Sequence, residues 1–139
     1  MGNEWHVIYY IIAIGGDIEL INDIKISEHF KLSEFESADT KEVKLDPELI
    51  EKLEKLRRRI GQPLIINSGY RTPEHNAKVG GAENSLHVEG KAADIRKVKG
   101  LTIDEMGILA EKIGFVGIGL YTWGIHVDVR EMYSRWDYR

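Results

Sequence analysis

The sequence predicts an α+β fold, a single domain in which an antiparallel sheet is flanked by helices. Two segments carry helix start and stop signals around an apolar face, Asp46 to Gly61 and Thr102 to Gly114. Three short runs rich in β-branched residues read as strands: Leu64-Ile65-Ile66, Phe115 to Tyr121 and Gly124 to Arg130. A chain of 139 residues, 42% hydrophobic and 30% charged, can build one real core but not two. Helices and strands segregated in this way give an antiparallel α+β layer rather than alternating βαβ units.

In chain order, the first element is Val7 to Ile14, VIYYIIAI, the most apolar run. Its β-branched and aromatic residues predict a buried strand, with an oligomer contact as the second reading. The run is too short to span a bilayer. No Lys or Arg precedes it and Gly15-Gly16-Asp17 is not a small-x-small cleavage site, so no secretory signal is evident. Ser33-Glu34-Phe35-Glu36 fits a capping box opening a short helix. Asp46-Pro47 supplies N-cap and N1 of a longer helix, with Leu49, Ile50, Leu53, Leu56 and Ile60 on one face. Arg57-Arg58-Arg59 at its end complements the helix dipole, which is a structural use of the charge rather than an anion site. Thr102-Ile103-Asp104-Glu105 is a second capping box. No repeat, low-complexity segment or interdomain linker interrupts the chain.

Chemistry enters at SLHVEGKAADI, Ser85 to Ile95, where His87 and Asp94 are seven residues apart. On a helix that spacing would separate them by roughly 10 Å along the axis. A two-residue turn at Gly90-Lys91 would instead set Glu89 opposite Ala92, Val88 opposite Ala93 and His87 opposite Asp94. A tighter loop entering one strand would also bring the two together. Taken alone, the pair reads as a surface histidine beside a solvated acid. The second stretch, GIHVDVR, changes the balance: its alternation puts His126, Asp128 and Arg130 on one face and Val127 and Val129 on the other. Two histidines and an aspartate fit a catalytic zinc site with an open fourth position. The chain has no cysteine, so a transition metal would be held by imidazole and carboxylate.

Ser85-x-His87-x-x-Gly90-x-Ala92-x-Asp94, followed by His126, resembles the zinc motif of the M15 peptidases, the D-Ala-D-Ala carboxypeptidase and murein endopeptidase family. SGYRTPEHN, Ser68 to Asn76, is similar to that family's SGYR block, and GIGLYTWGIHVDVR to its C-terminal strand. The resemblance covers about residues 26–130, leaving 1–25 as an N-terminal strand extension of the single domain 1–139. It implies a hedgehog-like, D-Ala-D-Ala-peptidase-like fold and one Zn2+ on His87, Asp94 and His126. It also implies a hydrolase of peptide bonds in peptidoglycan stem peptides or cross-links, as carboxypeptidase or endopeptidase. The same block resembles the hedgehog signalling domain, so a zinc-stabilised binding module that does not catalyse is the alternative. A metal-free structural domain is the third possibility and requires the three residues to lie apart.

Within the resemblance, Arg71 is the candidate to hold a substrate carboxylate or the oxyanion, or else to stabilise a turn. Ser85 offers a hydroxyl to the substrate backbone or caps its loop. Peptide hydrolysis also needs a group to accept a proton from water. Many relatives place an acid three residues before the last zinc histidine, and others a histidine two residues before it; here those positions are Trp123 and Gly124. Asp128 is the nearest acid by pattern, as base or as a residue orienting an imidazole. Glu83 and Glu89 are weaker substitutes. His75 and Asn76 read as structural, and His6 and His29 lack motif support as ligands.

The formal charge of −4 argues against a nucleic-acid partner. The expected partner is a peptidoglycan peptide, the expected state a monomer, with the N-terminal strand as a route to self-association. Synthesis in the cytoplasm and action at the cell wall would require release by a phage holin or carriage in a phage particle, as for an endolysin.

Overall fold

The computed structural model describes residues 22–139, together with the backbone of two short antiparallel strands, β1 (Ile12–Ile14) and β2 (Asp17–Glu19). The predicted strand Val7 to Ile14 is seen only in its last three residues. Its first part, its burial, and His6 lie outside the described residues.

After a 3₁₀ turn at Leu32–Phe35 come α1 (Pro47–Ile60), β3 (Ile66–Ser68), α2 (Pro73–Lys78), β4 (Ala92–Arg96), α3 (Ile103–Ile113), β5 (Gly117–Leu120), β6 (Gly124–Asp128) and β7 (Ser134–Asp137). The five later strands form one sheet in the order β3-β4-β6-β5-β7. Four of them are antiparallel neighbours as predicted. β7, which carries no alternation that would announce it, adds parallel to β5 and makes the sheet mixed.

Local chemistry sets the helix limits. Asp46 accepts the Glu48 N–H at 2.8 Å and Pro47 follows it, so α1 starts where capping predicts. Gly61 (φ 74°) and Gly114 (φ 104°) end α1 and α3 in the left-handed conformation, where a side chain would be strained. Thr102 and Glu105 exchange the two bonds of a capping box. The earlier box is displaced by two residues: Lys31, not Ser33, is the N-cap, and Glu34, not Glu36, accepts from the N-cap N–H at 2.7 Å. Leu64 and Ile65 precede the strand they were expected to open, because pairing with β4 begins only at Ile66.

Helix α3 packs on β5 and β6, and α1 on α3. Between them lie Leu49, Leu53, Leu56, Met106, Ala110, Phe115, Ile118, Ile125 and Val127, with Phe30, Leu32 and Phe35 closing the end of the core. Burying each large side chain stabilises the fold by about 1.5–3 kcal/mol. The arginines 57–59 fill the last turn of α1, as the dipole argument requires. Because strand side chains alternate, a sheet whose one face holds Ile95, Ile125, Val127 and Ile118 must present Asp94, His126 and Asp128 on the other. That second face is where polar groups concentrate.

Candidate metal centre

One row of residues runs straight across the five strands: Ser68, Asp94, His126, Gly119 and Trp136 are successive register partners. A second row on the same face holds Ala92, Asp128, Gly117 and Ser134. Register, rather than nearness in sequence, brings Asp94 to His126. An irregularity between Ile66 and Ser68 shifts β3 so that Ser68 meets Asp94.

His87 reaches the row from outside the sheet. The hairpin at Gly90-Lys91 is not formed. Residues 85–90 are consecutive turns, with Val88 N–H on Ser85 O, Gly90 N–H on His87 O and Lys91 N–H on Leu86 O, and only then does β4 begin. The partners of Asp94 in the ladder are therefore Ser68 and His126, while His87 approaches its side chain from the loop. Of the two geometries the sequence left open, this is the tight loop entering a strand.

His87 Nδ1 lies 2.7 Å from Gly69 O, a carbonyl that can only accept, so this nitrogen carries the proton. Its Nε2 then faces Asp94 Oδ1 at 3.2 Å with a lone pair. His126 repeats the pattern with its nitrogens exchanged: Nε2 donates to Asp128 Oδ2 at 2.8 Å, and Nδ1 faces the same Asp94 Oδ1 at 3.0 Å. Two neutral imidazoles would thus aim lone pairs at one carboxylate oxygen, which is stable only with a cation among them. A proton can serve, or a metal ion. Ligand atoms about 2.1 Å from a tetrahedral zinc are about 3.4 Å from each other, close to the separations found here. The three side chains are buried and their candidate ligand atoms all lie within 4.8 Å of one another.

Electrostatics follow from the same contacts. Burial alone would raise the Asp94 pKa, but hydrogen bonds from His126 and His87 outweigh it and hold the carboxylate far below its ordinary range. Asp128 is likewise driven down against burial, by His126 and Arg130. Burial would lower His126, yet Asp128 and Asp94 raise it, so in the metal-free protein a proton tends to stay between His126 and Asp94.

Asp128 is fully buried and both of its oxygens are engaged. Oδ2 meets His126 and, at 2.6 Å, Arg130 Nη2; Oδ1 accepts Arg130 Nε at 2.9 Å and the Arg130 N–H at 3.2 Å. A Cβ on Gly117 would fall 2.2 Å from these oxygens, so the glycine makes room for the carboxylate. The Arg130 guanidinium also lies over the Trp136 ring, 5.2 Å from its centroid.

Arg71 Nη2 donates to Asp94 Oδ2 at 3.1 Å, Nε to Ser68 Oγ at 3.0 Å and Nη1 to Asn76 Oδ1 at 3.3 Å. Asn76 in turn donates to Ala82 O at 2.7 Å. Ser85 Oγ accepts the His87 N–H at 3.2 Å, which caps the loop. Arg71, Ser85, His87, Asp94 and His126, with Tyr121, Trp123, Trp136 and Tyr138, line one cleft of about 810 Å³. Trp123 stacks on Tyr121, and a Cβ at Gly124 would come within 1.9 Å of Ile95 O, so no side chain is possible there. Glu83 and Glu89 are exposed and do not line the cleft. His29 is remote from the cleft and pairs with Glu54. Trp136, Tyr121 and the two glycines that make room for Asp128 and Trp136 were not foreseen. The Gly117-x-Gly119 spacing was the available signal, since it matches the His126-x-Asp128 spacing.

A sheet face carrying Asp94 and His126, with His87 reaching it from the adjoining loop, defines an α+β domain with a candidate site for one metal ion. The chain belongs to the peptidase M15 family, which it matches over residues 27–129. It is similar to the zinc D-Ala-D-Ala carboxypeptidase of Streptomyces albus G, 44% identical over 45 residues covering 32% of this chain and 18% of that protein. It is also similar to the probable peptidoglycan L,D-endopeptidase MepK of Haemophilus influenzae, 33% identical over 95 residues covering 61% of this chain and 50% of that one. The chain thus spans half or less of the length of these curated relatives.

Proposed function

We propose that this chain is a zinc-dependent peptidase that hydrolyses peptide bonds in peptidoglycan stem peptides or cross-links, its catalytic unit being roughly the family-matching span. The observation that carries the reading is the pair of imidazole lone pairs converging on Asp94 Oδ1. His87 through Nε2, Asp94 through Oδ1 and His126 through Nδ1 would hold the zinc. When bound, it would polarise a substrate carbonyl and make water nucleophilic near neutral pH.

Asp128 fits an orienting role better than that of a base: its oxygens are committed to His126 and Arg130, and it fixes which His126 nitrogen carries the proton. Arg71 uses three N–H donors on Ser68, Asn76 and Asp94, of the five a guanidinium carries. Its remaining donors suit a substrate carboxylate at the cleft. Ser85 keeps its own hydroxyl proton to offer to a peptide while capping the loop. Action at the bacterial cell wall follows from this substrate. No described helix is long and apolar enough to cross a membrane.

A second reading, a zinc-stabilised binding module, draws support from one feature: among the described residues lining the cleft, Asp94 is the sole carboxylate. Metal analysis of protein purified without chelator, followed by incubation with purified murein peptides, separates the two. About one zinc per chain with peptide cleavage is expected. Stoichiometric zinc without cleavage of any murein peptide would favour the binding module, and absence of bound zinc would remove both.

A further inference from the structure

Gly119 sits between His126 and Trp136 in the cross-strand row, and a Cβ there would lie 2.2 Å from Trp136 Nε1. Its missing side chain lets the indole lean over β5 until its ring is 5.1 Å from that of His126. An indole nitrogen can only donate, and it donates to the Tyr121 hydroxyl at 2.8 Å. The phenol oxygen is the acceptor in that bond, so its own proton must point elsewhere. Among the described residues no protein acceptor takes it. The ring is fixed as well: Trp123 stacks on it at 4.7 Å, Tyr138 meets it edge-on at 5.8 Å, and the Tyr121 N–H is bonded to Gly124 O at 3.0 Å. Accepting one hydrogen bond strengthens a hydroxyl as donor of the next. Tyr121 also lines the same cleft as His87, Asp94 and His126.

We propose that Tyr121 is a catalytic residue whose hydroxyl donates a hydrogen bond to the oxyanion formed when the substrate carbonyl is attacked. This rests on the peptidase reading above. In the reaction a water oxygen bonds to the carbonyl carbon as the C=O π pair moves onto the carbonyl oxygen. The C–N bond then breaks, its electron pair leaves with nitrogen, and the proton released by water ends on that nitrogen. Tyr121 loses no proton in this sequence. Its hydrogen bond strengthens as the oxygen becomes negative, and a donor held in place beforehand has no reorganisation to undergo.

The test is Tyr121→Phe, which keeps the ring and its stacking. Expected are unchanged zinc content and a thermal midpoint lowered only modestly by the loss of the Trp136 bond, with kcat lowered on the order of 10²- to 10³-fold. Calorimetric affinity for a phosphinate pseudopeptide, a tetrahedral anion with the substrate's side chains, should fall by a similar factor while affinity for the product peptide holds. Wild-type turnover in the variant, or equal weakening of phosphinate and product, would overturn the proposal. Trp136→Phe is the second variant, since it removes the donor to the hydroxyl but keeps the hydroxyl; its loss should be smaller than that of Tyr121→Phe, and a larger one would overturn the assignment. Failure of the wild type to cleave any murein peptide would remove the peptidase reading and Tyr121's role together, whereas wild-type turnover with an unaffected variant removes Tyr121 alone.

Discussion

His29 and His126 each lie 2.8 Å from a buried carboxylate, in two clusters built from the same residue types: Glu28, His29 and Glu54 in one, His87, Asp94 and His126 in the other. Around Glu54 every hydrogen-bond partner is a donor. Ser27 Oγ and the His29 N–H reach Oε1 at 2.6 Å, His29 Nδ1 reaches Oε2, and Arg58 approaches Glu28 at 3.7 Å. That carboxylate is satisfied, and it staples the segment before the 3₁₀ turn to α1. Around Asp94 Oδ1 the neighbours are two nitrogens whose protons are already committed to Gly69 O and Asp128. One cluster is a finished lock and the other is an acceptor set in need of a cation. The direction of each hydrogen bond separates the two.

The largest way to break this contrast is to remove a ligand. His87→Ala and Asp94→Ala should each lose the zinc and, with it, all measurable peptidase activity, as read by metal analysis of the purified variants and by murein-peptide hydrolysis. Stoichiometric zinc retained in both would end the assignment. Next comes Asp128→Asn. An orienting role predicts zinc affinity about 10- to 100-fold weaker, with the rate recovered at saturating metal. A rate still depressed about 10²- to 10⁴-fold at saturating zinc would make Asp128 the base after all.

Smaller effects sharpen the comparison. Arg71→Ala should keep the zinc and lower turnover, and Arg71→Lys should not restore it, because an ammonium cannot reproduce the planar fork. Full activity in Arg71→Ala would return that residue to holding Asp94 and its turn. Glu54→Gln should leave zinc and activity unchanged while destabilising the fold by about 1–3 kcal/mol in denaturant titration, since three donors lose a charged acceptor. Loss of zinc in Glu54→Gln would erase the distinction between the clusters.

The clusters also differ in the sign of their pH response. Glu54 is lowered, with hydrogen bonds from Ser27 and His29 outweighing its burial. Its contribution is therefore complete above about pH 4.3, the ordinary value, and fades as pH falls through the folded value. His126 is raised in the metal-free protein. Its contribution is complete below about pH 6.5 and fades as pH rises through the folded value. Zinc must displace that proton, so the stabilisation by added zinc should grow with pH over the same window. Thermal midpoints with and without zinc across that range check this, and a zinc effect that shrinks as pH rises would contradict it.

Local rules carried well where contacts are local. Asp46-Pro47, Gly61, Thr102-Glu105 and Gly114 bounded two helices correctly because capping involves residues within one turn. The alternation in GIHVDVR placed Val127 and Val129 in the core and His126 and Asp128 on the other face. The hairpin through Gly90-Lys91 misplaced the partners of Asp94, because two turn geometries satisfy the same spacing. β7 escaped notice because an edge strand that is half-buried along most of its length needs no period-two apolar pattern.

What the sequence determined by itself is the inventory: two histidines and an aspartate in family order, no thiols, two capped helices, and a strand with one chemical face. The tertiary structure decided the directions. The ladder register set His126 beside Asp94, Gly69 O and Asp128 fixed which imidazole nitrogens are free, and Gly117 and Gly119 opened space for Asp128 and Trp136. Each of these depends on chain segments far apart in sequence meeting at separations of about 3 Å, and hydrogen bonds lose their strength steeply outside that range and direction. No pattern along a single strand encodes that.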